Sequence, residues 1–108
     1  MSKKLGLRQL ALRLEALGDA TRLKVYRTLV RAGDAGLPVG RIQERTGVPR
    51  STLSHHLHRL IGVGLVSQER QGTILICRAN YTAMQQILNE LQSECCADAN
   101  LGANEHAA

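Results

Sequence analysis

From Arg50 to Arg59 the chain reads Arg-Ser-Thr-Leu-Ser-His-His-Leu-His-Arg, and every residue there except leucine can make side-chain hydrogen bonds. If Leu53, Leu57 and Leu60 point inward on a helix, the outer face carries Arg50, Ser51, Thr52, Ser54, His55, His58 and Arg59. Hydroxyls and open amides at a helix start suit phosphates or base edges, and arginine suits phosphate or guanine. The plainer reading is the solvated face of an amphipathic helix. His55 and His58 also share a face at metal-pair spacing. No Cys, Asp or Glu lies close enough in sequence to complete a tetrahedral site with them. His56 is expected to abut the core.

A second chemistry is available in three cysteines, Cys77, Cys95 and Cys96. Thiolates are soft donors and favour thiophilic partners over hard cations. Exposed thiols can instead be oxidised, to a disulfide or polysulfide across two subunits. Structural roles compete: Cys77 can be a small core residue on a strand, and Cys95 can extend an apolar helix stripe. Cys96 falls beside that stripe. Nothing resembles an enzyme centre. There is no glycine-rich phosphate loop, no carboxylate pair near a histidine and no oriented Cys/His dyad.

The charge balance favours a polyanionic partner. The chain of 108 residues has a formal charge of +5, and residues 41–78 hold six arginines against Glu44 and Glu69. The length suits one domain. With no Phe or Trp and only Tyr26 and Tyr81 as aromatics, the core must be aliphatic. A small aliphatic core is a first hint that a partner subunit completes the fold. No run approaches the roughly 18 apolar residues of a membrane span, and the first residues lack the apolar stretch of a signal peptide. A cytoplasmic protein with free thiols is the expectation.

These side chains need elements to hold them. Leu7, Leu10, Leu14 and Leu17 predict a helix over 7–17. Asp19 is placed to cap a second helix, 20–32, burying Leu23, Tyr26, Leu29 and Val30. Pro38 suits the first position of a short third helix, 38–46. Thr46-Gly47-Val48-Pro49 predicts a tight turn, with Gly47 at positive φ, before a fourth helix over 51–63. Residues 65–70 and 73–78 alternate as short strands around Gln71-Gly72, with Arg70 near the hairpin tip as a backbone or minor-groove contact. Asn80 can cap a last helix, 81–95, with the stripe Met84, Ile87, Leu88, Leu91 and Cys95. Residues 97–108 are expected to be a disordered tail. Two helices across a glycine turn, followed by a hairpin, make a winged helix-turn-helix over 1–96, mainly α with a small β wing.

At this point the sequence resembles a family. Glu15-Ala-Leu-Gly-Asp-Ala-Thr-Arg-Leu-Lys-Val-Tyr26 is similar to the signature near the start of ArsR/SmtB-type repressors. Ser51-Thr-Leu-Ser-His-His-Leu-His-Arg-Leu60, with Gly64-Leu-Val66, resembles their recognition-helix block. The likeness spans roughly residues 7–96. It implies a homodimer joined by the first and last helices, bound to double-stranded operator DNA until an inducer releases it. No obligatory cofactor is implied. A winged helix used only for protein contacts is the alternative of another class, and it would leave the basic face of 50–59 without purpose.

Where such repressors carry ligands, this chain departs from two patterns. Leu37-Pro-Val-Gly-Arg-Ile42 lacks the Cys-x-Cys of the arsenite site on the third helix, and Tyr81–Leu91 lacks the histidines of the zinc site. The cysteines that remain are similar to the subgroup that senses trivalent arsenicals, including methylated ones, through C-terminal thiols. That resemblance implies Cys77, Cys95 and Cys96 as ligands. A helix over 81–95 rises about 1.5 Å per residue, so Cys77 and Cys95 of one chain cannot share a ligand. An intersubunit site is expected, Cys77 of one subunit with Cys95, and with it Cys96, of the other. Redox or reactive-sulfur sensing by the same thiols is the alternative.

Overall fold

The computed structural model describes residues 5–99. Five helices and three strands follow in the order α1 (Leu7–Leu17), α2 (Ala20–Ala32), β1 (Leu37–Pro38), α3 (Val39–Thr46), α4 (Arg50–Gly62), β2 (Val66–Gln71), β3 (Ile74–Ala79) and α5 (Tyr81–Gln92). The strands form one antiparallel sheet in the order β1-β3-β2. This is the expected winged helix-turn-helix.

Local chemistry sets the boundaries. The Asp19 carboxylate accepts from the Arg22 amide at 2.9 Å, and the Asn80 side chain accepts from Ala83 at 3.1 Å, so each caps the helix that follows. Pro38 and Pro49 stand at the N-caps of α3 and α4 with extended ψ of 151° and 147°. The third helix therefore begins one residue after the expected proline. Gly47 ends it at φ 71°, and its amide donates to Gln43, the left-handed turn that lets α4 cross α3. In the wing Gln71 pairs with Ile74, so the two loop residues are Gly72 and Thr73. Gly72 has φ 66°, the positive angle a II′ hairpin needs at its first loop position.

One contiguous core draws side chains from all eight elements, with Leu29, Ile42, Leu53, Leu57, Leu60 and Leu65 at its centre. Leu7 and Leu14 of the α1 stripe are 83% and 38% exposed, outside the chain's own core, and α1 buries Arg13 and Ala16. One expectation is corrected on the next helix. On α2, Leu23 faces out while Arg22 and Val25 face in. The cause is the same in both helices. Each arginine folds its guanidinium onto backbone carbonyls, so a charged residue can take an inward position once its donors are matched.

The short β1 was not anticipated from two residues. It exists because Leu37 and Pro38 pair with Cys77 and Ile76 at a sheet edge, where proline's missing donor costs nothing. The last helix stops at Gln92 rather than 95, and turns follow to residue 99 with every side chain exposed. Of the tail expected to be disordered, residues 100–108 lie outside the described residues. Among the described residues no helix is long and apolar enough to cross a membrane.

Candidate nucleic-acid interface

α4 is fastened by its leucines and open on its other side. Leu53 and Leu60 are 0% exposed and Leu57 2%, while Arg50, Ser51, Thr52, Ser54, His55, His58 and Arg59 are all exposed. Pro49 makes no side-chain cap, so first-turn amides stay available beside two hydroxyls and Arg50. That is a positive, donor-rich helix start suited to an anion. Arg59 makes an ion pair with Glu15 at 3.4 Å, and both are well exposed, so the pair is weak and easily exchanged for a phosphate.

The wing extends this surface. Arg70 is exposed on β2, and it lines with Arg50 and Thr73 a groove of about 390 Å³ between the start of α4 and the hairpin. A second groove of about 250 Å³ continues along Ser54, His58 and Gln68. Helix and wing thus present donors along one continuous trough. Gln68 was not singled out from sequence. It became visible only when the hairpin register placed it opposite Cys77, to whose sulfur its amide donates at 3.4 Å.

Beneath the face lies a polar bracket. Arg22 donates through Nε to the Ala16 carbonyl, and its Nη1 reaches His56 Nδ1 at 3.4 Å. Arginine has only donors, so Nδ1 must be the acceptor and the proton of a neutral His56 sits on Nε2. Burial pushes the His56 pKa below its ordinary 6.5, with Arg22 adding to the effect and Asp19 opposing it. His56 therefore locks α4 to the α1–α2 junction. Lys24 similarly donates to the Thr46 carbonyl at 2.9 Å, holding the end of α3.

The three thiols are not assembled within one chain. Cys77 is 0% exposed on β3, and burial pushes its thiol pKa up, with the Gln68 hydrogen bond opposing. Cys95 and Cys96 are exposed in the turns after α5, with sulfurs 3.7 Å apart. Among the described residues no group of three or more His, Cys, Asp or Glu side chains could hold a metal ion. His55 and His58 stand on the outer face without a third ligand.

Known proteins share this fold. A family profile described as "Helix-turn-helix domain" matches residues 17–69. The chain is 31% identical over 75 residues to the transcriptional repressor SdpR of Bacillus subtilis, covering 69% of this chain and 80% of that protein. An ArsR-like transcriptional regulator from Rhodococcus sp. RHA1 superposes with a TM-score of 0.79 at 26% identity, over 94% of this chain and 93% of that one. The homodimeric winged helix-turn-helix DNA-binding domain of Mb0332 from Mycobacterium bovis superposes with a TM-score of 0.66 at 26% identity, over 90% and 85%. SdpR and the Rhodococcus protein are transcriptional regulators, and the Mycobacterium bovis domain is a DNA-binding one.

Proposed function

The chain belongs to the ArsR-like family of winged-helix transcriptional regulators, and from that premise we propose a homodimeric repressor that reads operator DNA with two copies of α4 and the wing. The observation that carries this is the trough in which Arg50 and Arg70 line one groove beside the open start of α4. Arg50, Ser51, Thr52, Ser54, His55, His58 and Arg59 face the major groove, and Arg70 meets the backbone or minor groove. Dimerisation is supported by the exposed apolar faces of α1 and α5, which hold Leu7, Leu14, Leu88 and Leu91. The homodimeric Mycobacterium bovis neighbour points the same way.

The inducer in this reading is a thiophilic ligand held by Cys95 and Cys96. Their sulfurs are exposed neighbours, whereas Cys77 is enclosed and kept protonated. The shared site between Cys77 and Cys95 of two subunits would first require β3 to release that thiol. Two accessible sulfurs suit a methylated trivalent arsenical, whose carbon fills the third position, better than arsenite, which takes three. Oxidation of the same exposed pair is the second reading, favoured by the closeness of the sulfurs.

The test is binding to duplex DNA at graded salt, then release by methylarsenite, arsenite, antimonite, zinc, cadmium or peroxide. DNA affinity should fall linearly on logarithmic axes as salt rises. Methylarsenite should release wild type and Cys77→Ser alike, and neither Cys95→Ser nor Cys96→Ser. Release by peroxide alone would select the redox reading. No duplex binding at low salt would end the proposal.

A further inference from the structure

Arg13 is a buried cation without a buried anion. It is 8% exposed, and the ion pairs among the described residues are Arg41–Glu44, Arg59–Glu15 and Arg78–Glu69. Its partners are neutral: Nε donates to the Val63 carbonyl at 3.0 Å, and Nη1 to Gln86 Oε1 at 2.9 Å. Among the described residues no hydrogen bond engages Nη2, which lies where a side chain on Gly64 would come within 3.4 Å. The other buried arginine differs, since Arg22 has the Asp19 carboxylate in its field. A guanidinium this enclosed, with neutral hydrogen-bond partners among the described residues, lacks the facing negative charge that burial calls for.

That guanidinium also forms part of a pocket wall. A cavity of about 380 Å³ opens between α1 and the end of α4, lined by Gln9, Leu12, Arg13 and the 61–64 turn. Its chemistry is divided. Arg13 and the Gln9 amide supply donors, and Leu12, Ile61 and Val63 supply apolar walls, within the size range of small-molecule sites. Gln9 and Leu12 lie on a different flank of α1 from Leu7 and Leu14, so closing the apolar face against a second copy leaves the cavity open.

We propose that this cavity is a second effector site, taking a small monocarboxylate with an apolar body on the Arg13 guanidinium. A carboxylate matches the planar fork of arginine and supplies the missing charge. The site also sits on a joint. Arg13 belongs to α1, Val63 is the C-cap of α4, and Gln86 belongs to α5. A carboxylate that draws the guanidinium away from the Val63 carbonyl frees the end of the reading helix from both neighbours. Such a ligand favours the DNA-free arrangement by its differential affinity.

The probe is sodium benzoate, titrated into the isotope-labelled full chain and read at the amides of Gly62, Val63 and Gly64. Saturable shifts there are expected, with acetate and inorganic phosphate much weaker because they lack the apolar body. Gln9→Glu is the decisive variant. Residue 9 is exposed and one turn before Arg13, so its carboxylate satisfies the guanidinium internally and benzoate affinity should fall at least about tenfold. Arg13→Gln should abolish the shifts if it folds. Absence of shifts, or equal shifts in Gln9→Glu, would overturn the site.

The effector role rests on the repressor reading and is measured separately, on a duplex selected for binding to this protein. Saturating benzoate should weaken that complex by about tenfold in wild type and leave Gln9→Glu unchanged. Benzoate that binds without changing DNA affinity would overturn the effector role. Failure to bind any duplex would count against the repressor reading alone.

Discussion

The leucines of α4 and those of α5 recur at helical spacing and meet opposite fates. Leu53, Leu57 and Leu60 are almost wholly buried beneath the reading face, whereas Leu88 and Leu91 remain 45% and 57% exposed. α4 packs on α1, α2 and β2 of its own chain, while α5 leans on the flank of α1 and leaves its far side open. A periodic apolar stripe states that a face will be covered. It does not state whether the same chain covers it. The reading half of the molecule is complete alone, whereas the α1–α5 flank is left open, and in the proposed dimer a second copy covers it.

Breaking the open flank should have the largest effect on DNA binding. Leu88→Glu with Leu91→Glu should give a folded monomer by sedimentation, because neither leucine supports the chain's own core. Operator affinity should drop by about 10² to 10⁴, the gain that linking two reading heads provides. A variant that remains dimeric would show that the exposed leucines are not the interface.

The buried stripe predicts the converse. Leu53→Ala should cost about 2–5 kcal/mol in chemical denaturation, since its side chain is fully enclosed and leaves a cavity. Dimer formation by the protein that stays folded should be unaffected. Between these two, Arg50→Ala and Arg70→Ala test whether helix and wing act as one surface. Each should weaken DNA binding by about 1–3 kcal/mol if it reads a base, or lower the salt slope by about one if it contacts phosphate. Stability should be unchanged in both.

The contrast also explains what the sequence could convey. Helix starts were legible because Asp19, Pro49 and Asn80 carry their reasons in their own side chains, and the Gly47 turn because only one residue type sits easily there. The outward set on α4 followed from three leucines at fixed spacing. Legibility failed where meaning depended on distant contacts. Nothing in the spacing marks Arg13 and Arg22 as inward residues, and only the carbonyls of Val63 and Ala16 explain their burial. β1 needed Cys77 and Ile76 opposite it, 40 and 38 residues away in the register. Likewise the stop of α5 at Gln92 moved Cys95 off the expected stripe and into an exposed turn.

The smallest expected effect bears on how the complete half is held. His56 accepts from Arg22 through Nδ1, so protonating that nitrogen replaces a hydrogen bond with two facing cations. Burial and Arg22 depress its pKa below 6.5, and Asp19 offsets part of this; His55 and Arg59 also face it and add to the depression. Between the folded and unfolded values the unfolded chain binds more protons, so stability rises with pH there. The contribution of neutral His56 is complete above the ordinary histidine value and is lost as pH falls below it. Asp19 titrates below its ordinary 3.8 and stays charged throughout this window. Wild type should therefore lose more stability than His56→Gln between pH 7.5 and pH 5.5, by denaturant titration, with His55 and His58 common to both proteins. If the difference between the two proteins stays constant across that range, the bracket does not distinguish neutral from charged imidazole, and His56 holds α4 by packing alone.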